Sequence, residues 1–352
     1  MHRIDSTVIS PSSTALATLG EFGLIARIAS GTRSGAGVVT GIGDDAAVTA
    51  LSPGMQLLTS TDMLLEDVHF RRRWHDPYRL GRKSLAVSIS DIAAMGGIPR
   101  WALLSLAIPP DIHLDFVDEF MRGFLAMASE HAVTLIGGDT CSSRSGVTVS
   151  VTLLGEQLPE QIIRRSGALP DDDIWVTGTL GDAALGLRLV EGLTVCSSDP
   201  REPVVEEAGP LLHRLLDPVP QVIAALALAE AGVATAMIDV SDGILADFGH
   251  IAEQSGVGGC LILDDLPLSP DFCSHTARLS TVPYQLVLSG GEDYELCFTA
   301  QPACREKIVD CMKKCGIAVT RVGIVTRSPG VTAVNRDGSQ HIAQTEGFDH
   351  FT

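Results

Sequence analysis

Four short runs of the sequence place aspartate beside glycine, serine or threonine, close to an apolar segment. They are Gly43-Asp44-Asp45, Ser60-Thr61-Asp62, Gly138-Asp139-Thr140 and Asp239-Val240-Ser241-Asp242-Gly243. Hard divalent cations prefer oxygen ligands, and magnesium takes one or two carboxylates together with waters and substrate phosphates. The four runs together therefore predict a site for several magnesium ions. Each run alone is also typical of a turn or a helix cap, because Asp, Ser and Gly favour both.

Asp91 has different surroundings, because it lies between Ile89 and Ile92 in a predicted helix from Pro77 to Met95. One stripe of this helix carries Leu80, Lys83, Ser84, Val87, Asp91 and Ala94. A carboxylate near the buried side of a helix is costly unless a cation, an arginine or several donors satisfy it. Asp91 is therefore either a metal ligand or a carboxylate paired with Arg or Lys. Asp242 has a similar alternative, since it could cap the following helix as well as bind a metal.

Two glycine pairs are candidates for phosphate binding. Gly137-Gly138 and Gly290-Gly291-Glu292-Asp293 each follow an apolar segment, and bare backbone amides can approach a phosphate closely there. The sequence contains no GxxxxGK[ST] loop, no glycine-rich kinase loop and no HRD triplet. Any ATP must therefore be held by another architecture. Taken singly, each glycine pair is also an ordinary turn.

The elements that must position these residues alternate between strands and helices in both halves, which predicts an α/β fold with mixed sheets. An apolar strand from Met55 is expected to end at Ser60-Thr61-Asp62, at a sheet edge where open α/β folds place ligands. A length of 352 residues suits two domains of about 150 residues or more. A proline-containing run near residue 158 separates them. The predicted units are a flexible extension (1–18), an amino-terminal domain (19–157) and a carboxyl-terminal domain (158–352).

Composition excludes several classes of partner. The net charge is −18, so the surface would repel a nucleic-acid backbone. No apolar run of about 18 residues and no signal-peptide pattern is evident. The eight cysteines form no CxxC pair, which with these features favours a reducing cytoplasm. Cys304, Cys311 and Cys315 have helical spacing and could bind a soft metal, but the absence of an accompanying His favours small packed side chains.

Read in order, the motifs resemble the thiamine-monophosphate kinase family, within the wider superfamily of aminoimidazole ribonucleotide synthetases and selenophosphate synthetases. The resemblance covers nearly the whole chain. The motifs are Gly20-Glu21-Phe22, Gly41-Ile42-Gly43-Asp44-Asp45, Ser60-Thr61-Asp62, Asp67-Val68-His69-Phe70, Ser90-Asp91-Ile92-Ala93-Ala94-Met95-Gly96, Ile136-Gly137-Gly138-Asp139-Thr140, Arg165-Ser166-Gly167, Ile238-Asp239-Val240-Ser241-Asp242-Gly243 and Ser289-Gly290-Gly291-Glu292-Asp293-Tyr294-Glu295-Leu296.

The resemblance implies a role for each matching position. Those expected to bind magnesium are Asp45, Ser60, Thr61, Asp62, Asp91, Asp139, Asp239 and Asp242. Among them, Asp62, Asp91 and Asp242 are expected to serve catalysis directly. Those expected to contact ATP are Gly138, Asp139, Arg165 and Ser241. His69 and Glu292 are expected to contact the thiamine phosphate, although a lone His69 would more often be structural.

One position near the end departs from the family pattern. Phe348 stands where the family usually has an aromatic residue that carries a hydroxyl or an indole. Phe348 is still expected to bind the substrate, since a phenyl ring can stack on the thiamine rings, but it cannot donate a side-chain hydrogen bond. The fine orientation of the substrate is affected more than the reaction.

The expected reaction is direct in-line transfer of the γ-phosphoryl group of ATP to thiamine monophosphate, assisted by several magnesium ions. The acceptor is already an oxyanion, so charge neutralisation and positioning matter more than a general base. Two alternatives stay open: another ATP-dependent synthetase of the same superfamily, or a noncatalytic nucleotide- or metal-binding dimer. The resemblance also implies a homodimer formed through the amino-terminal domains.

Overall fold

The computed structural model describes residues 16–196, 209–277 and 284–341. Along the amino-terminal half the elements are α1 (Leu16–Gly31), β1 (Val38–Thr40), β2 (Val48–Thr49), β3 (Gln56–Leu65), α2 (Pro77–Ala94), β4 (Ile98–Ile108), α3 (Leu114–Glu130), β5 (Thr134–Ser142) and β6 (Thr148–Gln157). Most of the predicted extension 1–18 lies outside the described residues. Its last three residues begin α1.

A four-stranded sheet in the order β3-β6-β4-β5 forms the centre of this half. The pair β4/β5 is parallel, and the other two pairs are antiparallel. On β6, Val149, Val151 and Leu153 are fully buried while the residues between them are half-buried. This alternation follows from the two-residue period of a strand, which sends successive side chains to opposite faces. Helices α2 and α3 cover the buried face.

The strand β3 does not end at Asp62, as the sequence had suggested, but continues to Leu65. It stays in register with β6 along all ten of its residues, from Gln56 opposite Gln157 to Leu65 opposite Thr148. The backbone ladder therefore carries the strand past its last apolar run. Ser60, Thr61 and Asp62 consequently lie within the strand, with Thr61 facing away from its two neighbours.

Helix α2 is buried on almost every side. Asp76 caps it by accepting a hydrogen bond from the Arg79 amide at 2.9 Å, and Pro77 occupies its first turn. Its backbone contacts α3 directly, since a Cβ at Gly81 would come within 2.0 Å of the Phe120 carbonyl oxygen. The opposite side of α2 contacts elements of the carboxyl-terminal half. The helix therefore connects the two halves.

The carboxyl-terminal half contains more strands. Its elements are β7 (Asp173–Thr177), α4 (Asp182–Cys196), α5 (Gly209–Leu216), α6 (Val222–Ala231), β8 (Ala234–Val240), α7 (Ile244–Ser255), β9 (Gly258–Ile262), α8 (Pro270–Thr276), α9 (Tyr284–Leu288), β10 (Glu295–Ala300), α10 (Arg305–Cys315), β11 (Val319–Thr326), β12 (Gly330–Val334) and β13 (Gln340–His341). Within the described ranges, no helix combines the length and apolar character needed to cross a lipid bilayer.

Seven of these strands form one sheet in the order β13-β12-β9-β11-β7-β10-β8. All its pairs are antiparallel except β12/β9. The edge strand β8 contacts α2 and pairs with β10. Because β8 and β10 are antiparallel, the end of β8 meets the beginning of β10. Two loops that are distant in sequence, 241–243 and 288–294, therefore meet beside α2. The predicted α/β class with mixed sheets is confirmed.

One hydrophobic cluster extends across both halves. It includes Ile89 and Ile92 of α2, Ala225 of α6 and Phe298 of β10, each at most 2% exposed. Because these side chains share one core, packing between the two halves stabilises both of them. The boundary at residues 157 and 158 stays a prediction.

Candidate active site between the two halves

Three of the predicted carboxylates converge on helix α2. Ser88 of α2 donates a hydrogen bond to Asp62 Oδ2 at 2.6 Å, and Ser90 of α2 donates to Asp239 Oδ2 at 2.7 Å. Asp91 of α2 accepts a hydrogen bond from Ser60 of β3. Residues from β3, α2 and β8 thus meet in one place, although they are up to 177 positions apart in the sequence, from 62 to 239.

These carboxylates are poorly compensated within the protein. Burial raises the pKa of Asp62 to about 6, and the nearby Asp91 adds to the effect. Burial also raises the pKa of Asp239 to about 7, with Asp91 and Asp62 contributing. Burial raises the pKa of Asp91, while the Ser60 hydroxyl and the charge of Arg165 oppose the rise. Like charges held close together favour a bound cation.

The donor set suits magnesium, which binds through one or two carboxylates and keeps several waters. Among the described residues, no three His, Cys, Asp or Glu side chains are already arranged around one point as ligands of a single ion. A magnesium ion held here would therefore draw much of its coordination from water and phosphate oxygens.

The turn after β8 is held by Asp247, which sequence reasoning missed. Its Oδ2 accepts hydrogen bonds from the backbone amides of Ser241 and Asp242, both at 3.0 Å. Asp247 is buried, and burial raises its pKa well above the usual range, with Asp239 and Asp242 adding to the rise. Asp247 therefore fixes the backbone that carries Ser241 and Asp242. The position that caps α7 is Gly243, so Asp242 is not the residue that caps this helix.

The glycine-rich loop 288–294 lies directly on this turn. The Glu292 amide donates to the Ser241 carbonyl and the Tyr294 amide donates to the Val240 carbonyl, both at 2.8 Å. A Cβ at Gly291 would come within 2.3 Å of the Ser241 carbonyl oxygen. Glycine is thus required at position 291 by this close backbone contact. Glu292 has a φ of 72°, a left-handed conformation that is unusual for a residue with a side chain.

Glu292 forms an ion pair with Lys83 of α2, a second residue that sequence reasoning missed. The side chain of Lys83 is fully buried, whereas that of Glu292 is 26% exposed. Lys83 Nζ also donates to the Leu215 carbonyl at 3.1 Å. Lys83 shares the stripe of Asp91 on the buried side of α2, but its partner Glu292 lies 209 positions away and could not be found from the sequence.

The neighbouring carboxylates of the loop have partners within the protein. Both oxygens of Asp293 accept from the Gly181 amide, at 2.9 and 3.1 Å. Glu295 accepts from Arg214 at 2.6 Å and from Thr177 at 2.7 Å. Burial raises the pKa of both acids. These contacts attach the loop to β7 and α5.

Three predicted metal ligands lie apart from the cluster on α2, which consists of Asp62, Asp91 and Asp239. Thr61 lies on the opposite face of the sheet from Asp62, and its hydroxyl donates to the Val151 carbonyl at 3.2 Å. Asp45 is exposed, and its amide donates to Asp44 Oδ1 at 2.9 Å. Asp139 is exposed on β5, where its Oδ1 accepts from the Thr140 amide at 2.9 Å. Within the described residues no hydrogen bond connects these three side chains to Asp62, Asp91 or Asp239, and their role as ligands stays a prediction.

Strand register explains the position of Asp139. Asp139 pairs with Ser105, Ser105 with Ser150, and Ser150 with Met63, so the four share one face of the sheet. Asp62 points to the other face, toward α2. The strand β5 runs through the Gly137-Gly138 pair and continues to Ser142. Asp139 and Asp62 therefore lie on opposite faces of one sheet.

The predicted substrate-binding residues are placed as follows. His69 lies in the turn after β3, where its Nδ1 accepts a hydrogen bond from the Leu65 amide at 3.0 Å. A neutral His69 consequently carries its ring proton on Nε2. At Gly138 (φ 156°), a Cβ would come within 1.8 Å of the Leu104 carbonyl oxygen, so packing alone requires glycine there. Arg165 is exposed and lies within electrostatic range of Asp91. Phe348 lies outside the described residues.

The cysteines at helical spacing serve packing. Cys304 and Cys311 are partly buried against the core shared by both halves, and the Cys311 thiol donates to the Ala227 carbonyl at 3.6 Å. Neither belongs to a metal-binding group among the described residues. For Cys304 and Cys311, the interpretation as small packed side chains agrees with the structure.

Two family models match the chain. Residues 43–157 match the model described as "AIR synthase related protein, N-terminal domain", and residues 170–335 match the corresponding C-terminal domain. The thiamine-monophosphate kinase of Salmonella typhimurium is 36% identical over 335 residues, which cover 94% of this chain and 98% of that protein. The similarity thus spans both halves.

Solved structures show the same relationship. The crystal structure of thiamine-monophosphate kinase from Stenotrophomonas maltophilia K279a is 38% identical, with a TM-score of 0.78, and the match covers 90% of this chain and 96% of that one. AaThiL complexed with AMPPCP and TMP is 30% identical, with a TM-score of 0.71, and the match covers 97% and 100% of the two chains.

Proposed function

Because the chain belongs to the thiamine-monophosphate kinase family, two members of which match 94% and 90% of its length, we propose that it transfers the γ-phosphoryl group of ATP to thiamine monophosphate. The products are thiamine diphosphate and ADP. The observation that carries the proposal is the convergence of Asp62, Asp91 and Asp239 between the two halves. The relative bound to AMPPCP, an ATP analogue, and TMP supports the choice of both substrates.

The transfer proceeds in line. An oxygen of the acceptor phosphate forms a bond to the γ-phosphorus while the bond from that phosphorus to the β-phosphate oxygen breaks, and ADP keeps the electron pair. The acceptor oxygen is already ionised, so no side chain has to remove a proton. This agrees with a site that is rich in carboxylates, in which the buried serines Ser88 and Ser90 donate to Asp62 and Asp239 and orient them.

Asp62, Asp91, Asp239 and Asp242 would hold several magnesium ions. Bound magnesium supplies positive charge that offsets the charge of the phosphate oxygens as the transfer proceeds. The protein contributes the fixed positions of these carboxylates, through Ser60, Ser88 and Ser90, and the fixed turn at Asp242, through Asp247. Preorganised groups need little rearrangement during the reaction. Asp62, Asp91 and Asp242 are proposed to act at the transferred group itself.

The remaining predicted contacts complete the substrate sites. We assign Gly138, Asp139, Arg165 and Ser241 to ATP, and His69, Glu292 and Phe348 to the acceptor. Arg165 is suited to a phosphate because its guanidinium lies near the cluster without a buried partner carboxylate of its own among the described residues. Glu292 is suited to the acceptor because its side chain is 26% exposed and only its Oε2 is hydrogen-bonded, to Lys83, within the described residues.

A homodimer through the amino-terminal sheet completes the proposal. The outer face of β3 exposes Leu57 (48%) and Met63 (56%), two apolar side chains that a second copy could cover. Asp139 lies on this same face and would become part of the interface region. Sedimentation velocity tests the state: a single species of twice the chain mass is expected, and a monomer at micromolar concentration would refute it.

Phosphorus NMR tests the reaction. Enzyme, ATP, magnesium and thiamine monophosphate should give the resonances of a new diphosphate ester together with those of ADP. An Asp91→Asn enzyme serves as the control for contaminating kinases. If no diphosphate ester forms, but ADP is released with another phosphate ester, the acceptor assignment is wrong and the activity belongs elsewhere in the superfamily. If ADP is released with no acceptor at all, the proposal of a kinase is wrong.

A further inference from the structure

The buried lysine of α2 crosses from one half of the molecule to the other. Lys83 is fully buried, yet both of its hydrogen-bond acceptors belong to the carboxyl-terminal half: the Glu292 carboxylate and the Leu215 carbonyl at the end of α5. A buried ammonium is expensive and is rarely kept for stability alone, since apolar residues of similar volume often serve better. This pair therefore requires an explanation beyond packing.

Two neighbouring residues, His75 and Ser241, affect the ion pair between Lys83 and Glu292. His75 is buried beside Lys83, and burial lowers the pKa of His75 well below 6.5, with Lys83 lowering it further. His75 is consequently neutral at physiological pH and adds no positive charge beside Lys83. The backbone of Glu292 is fixed separately by its bond to the Ser241 carbonyl. Glu292 is thus held at both ends, by Ser241 at the backbone and by Lys83 at the carboxylate.

The exposure of the pair is asymmetric. Lys83 closes the inner side, while the Glu292 side chain is 26% exposed on the outer side. One carboxylate oxygen, Oε2, bonds to Lys83. Within the described residues no hydrogen bond is made to the other oxygen. The Glu292 carboxylate is thus fixed on its buried side by Lys83 and accessible on its exposed side. Such a carboxylate is well arranged to bind a ligand, because the entropy of ordering its long side chain has already been lost.

We propose that Lys83 is a positioning residue for acceptor binding: it holds the Glu292 carboxylate in the orientation in which Glu292 meets thiamine monophosphate. This inference rests on the proposed function. It gives Lys83 no contact with the acceptor itself, and it predicts that removal of Lys83 weakens acceptor binding through Glu292. ATP binding, which the proposal assigns to other residues, is unaffected.

Steady-state kinetics of four enzymes test the inference: wild type, Lys83→Met, Glu292→Gln and the double variant. Each single change should raise the KM for thiamine monophosphate about tenfold, the typical effect of losing a charged hydrogen bond, with the KM for ATP changed less than about twofold. The double variant should match the worse single variant, because both changes remove the same interaction. Lys83→Arg should recover part of the acceptor affinity.

Lys307→Met is the control, at an exposed lysine outside the proposed site. Lys307 also donates to a backbone carbonyl at a helix end, that of Ala231 at 2.6 Å, but it lies on α10 and away from α2. Its kinetic constants should equal those of the wild type. Multiplying effects in the double variant, or equal increases in both KM values, would overturn the inference.

Two further outcomes are informative. If Lys83→Met does not fold, the double variant decides, because it leaves no unpaired carboxylate; if that variant also fails to fold, the pair is structural and the inference is wrong. If the wild-type enzyme itself gives no turnover with ATP, magnesium and thiamine monophosphate, the proposed function fails instead. The two failures are thereby distinguished.

Discussion

Two sets of carboxylates in this molecule, each of them half-buried or buried, have opposite electrostatic character. Asp173, at the start of β7, is fully buried and accepts hydrogen bonds from Arg305 at 2.6 and 2.7 Å and from Arg321 at 3.2 Å. Burial alone would raise its pKa, but the two arginines lower it below the ordinary value. Asp62 and Asp239 are compensated by serine hydroxyls instead, and their pKa values are raised.

The comparison separates a structural carboxylate from a functional one. The guanidinium groups of Arg305 and Arg321 neutralise Asp173. This carboxylate therefore stabilises the fold and does not bind another cation. The cluster on α2 has serine donors, which orient a carboxylate without neutralising it. A protein that keeps several like charges close together without a hydrogen-bonded counter-ion is poised to bind one from solution. Substitutions in the two sets should therefore affect different measurements.

The largest expected effect is that of Asp91→Asn, compared with Asp173→Asn. Asp91→Asn should lower kcat about 10³-fold, because it removes a charge on which the transfer depends. Its melting temperature should stay the same or rise, since the amide relieves repulsion with Asp62 and Asp239. Asp173→Asn should leave kcat within about threefold but cost about 2 kcal/mol of unfolding free energy, because two arginines lose their partner. Turnover assays and calorimetry on both variants measure this.

Either of two results would contradict the division into a structural and a functional set of carboxylates. Retained turnover in Asp91→Asn would make Asp91 a structural residue. Loss of turnover in a well-folded Asp173→Asn enzyme would show that the arginine-paired set also serves the reaction.

The second effect concerns the turn at the end of β8. Asp247→Ala should reduce kcat about 100-fold and lower stability by about 2 kcal/mol, because the buried amides of Ser241 and Asp242 lose their acceptor. Asp247→Asn keeps an oxygen acceptor, so it should reduce kcat by less than about tenfold. Equal losses in both variants would mean that the charge of Asp247, rather than its geometry, matters.

The third effect is a dependence of stability on pH and magnesium. Asp62 and Asp239 have raised pKa values of about 6 and about 7 in the folded protein, against about 4 in an unfolded chain. The folded state therefore binds more protons between about pH 4 and 7, and metal-free stability should fall as pH rises through this window. Magnesium binds the ionised carboxylates, so it should restore the stability that is lost at higher pH.

Thermal unfolding with EDTA and with magnesium measures this dependence. The increase in melting temperature on adding magnesium should be about 3 °C or more at pH 7.5 and less than about 1 °C at pH 5. Calcium, which prefers more ligands and longer bonds, provides a comparison ion. An increase that is the same at both pH values would mean that magnesium binds elsewhere.

The smallest effect is expected for the serines of α2. Ser90→Ala removes the donor to Asp239 and should lower kcat three- to tenfold, about the value of one hydrogen bond to a charged group. Ser84→Ala is the matched control, since Ser84 is equally buried in the same helix but donates to the Leu80 carbonyl at 2.7 Å. Equal losses in both variants would attribute the effect to packing of α2 and remove Ser90 from the functional set.

Much of the fold and part of the site could be predicted from the sequence. The α/β class follows from alternating patterns of apolar residues, and Asp91 could be singled out because a carboxylate between isoleucines needs a partner. The convergence of Asp62, Asp91 and Asp239 followed from the resemblance to a family, and the structure brings these three together. Periodicity alone gives no information about which strands become neighbours, so it could not have placed them.

The residues that were missed depend on contacts between distant elements. Lys83 belongs to the stripe that the sequence placed on the buried side of α2, but the sequence does not show that Glu292, 209 positions away, is its partner. Asp247 stands in the first turn of α7, where an acidic residue commonly interacts with the helix dipole. Asp139 was expected with the other metal ligands, but the face to which it points depends on the register of β4, β5 and β6, which a single sequence does not determine.

The backbone contact between α2 and α3 sets the orientation of residues that lie far from it. Gly81 touches Phe120 with no side chain between them, and Gly123 touches Tyr78 in the same way. Such a contact leaves α2 no freedom to roll about its axis or to slide along its neighbour. Asp91 lies ten residues further on, which is about 15 Å along a helix. The orientation of the Asp91 carboxylate is thus determined by the packing at Gly81, about three helical turns away.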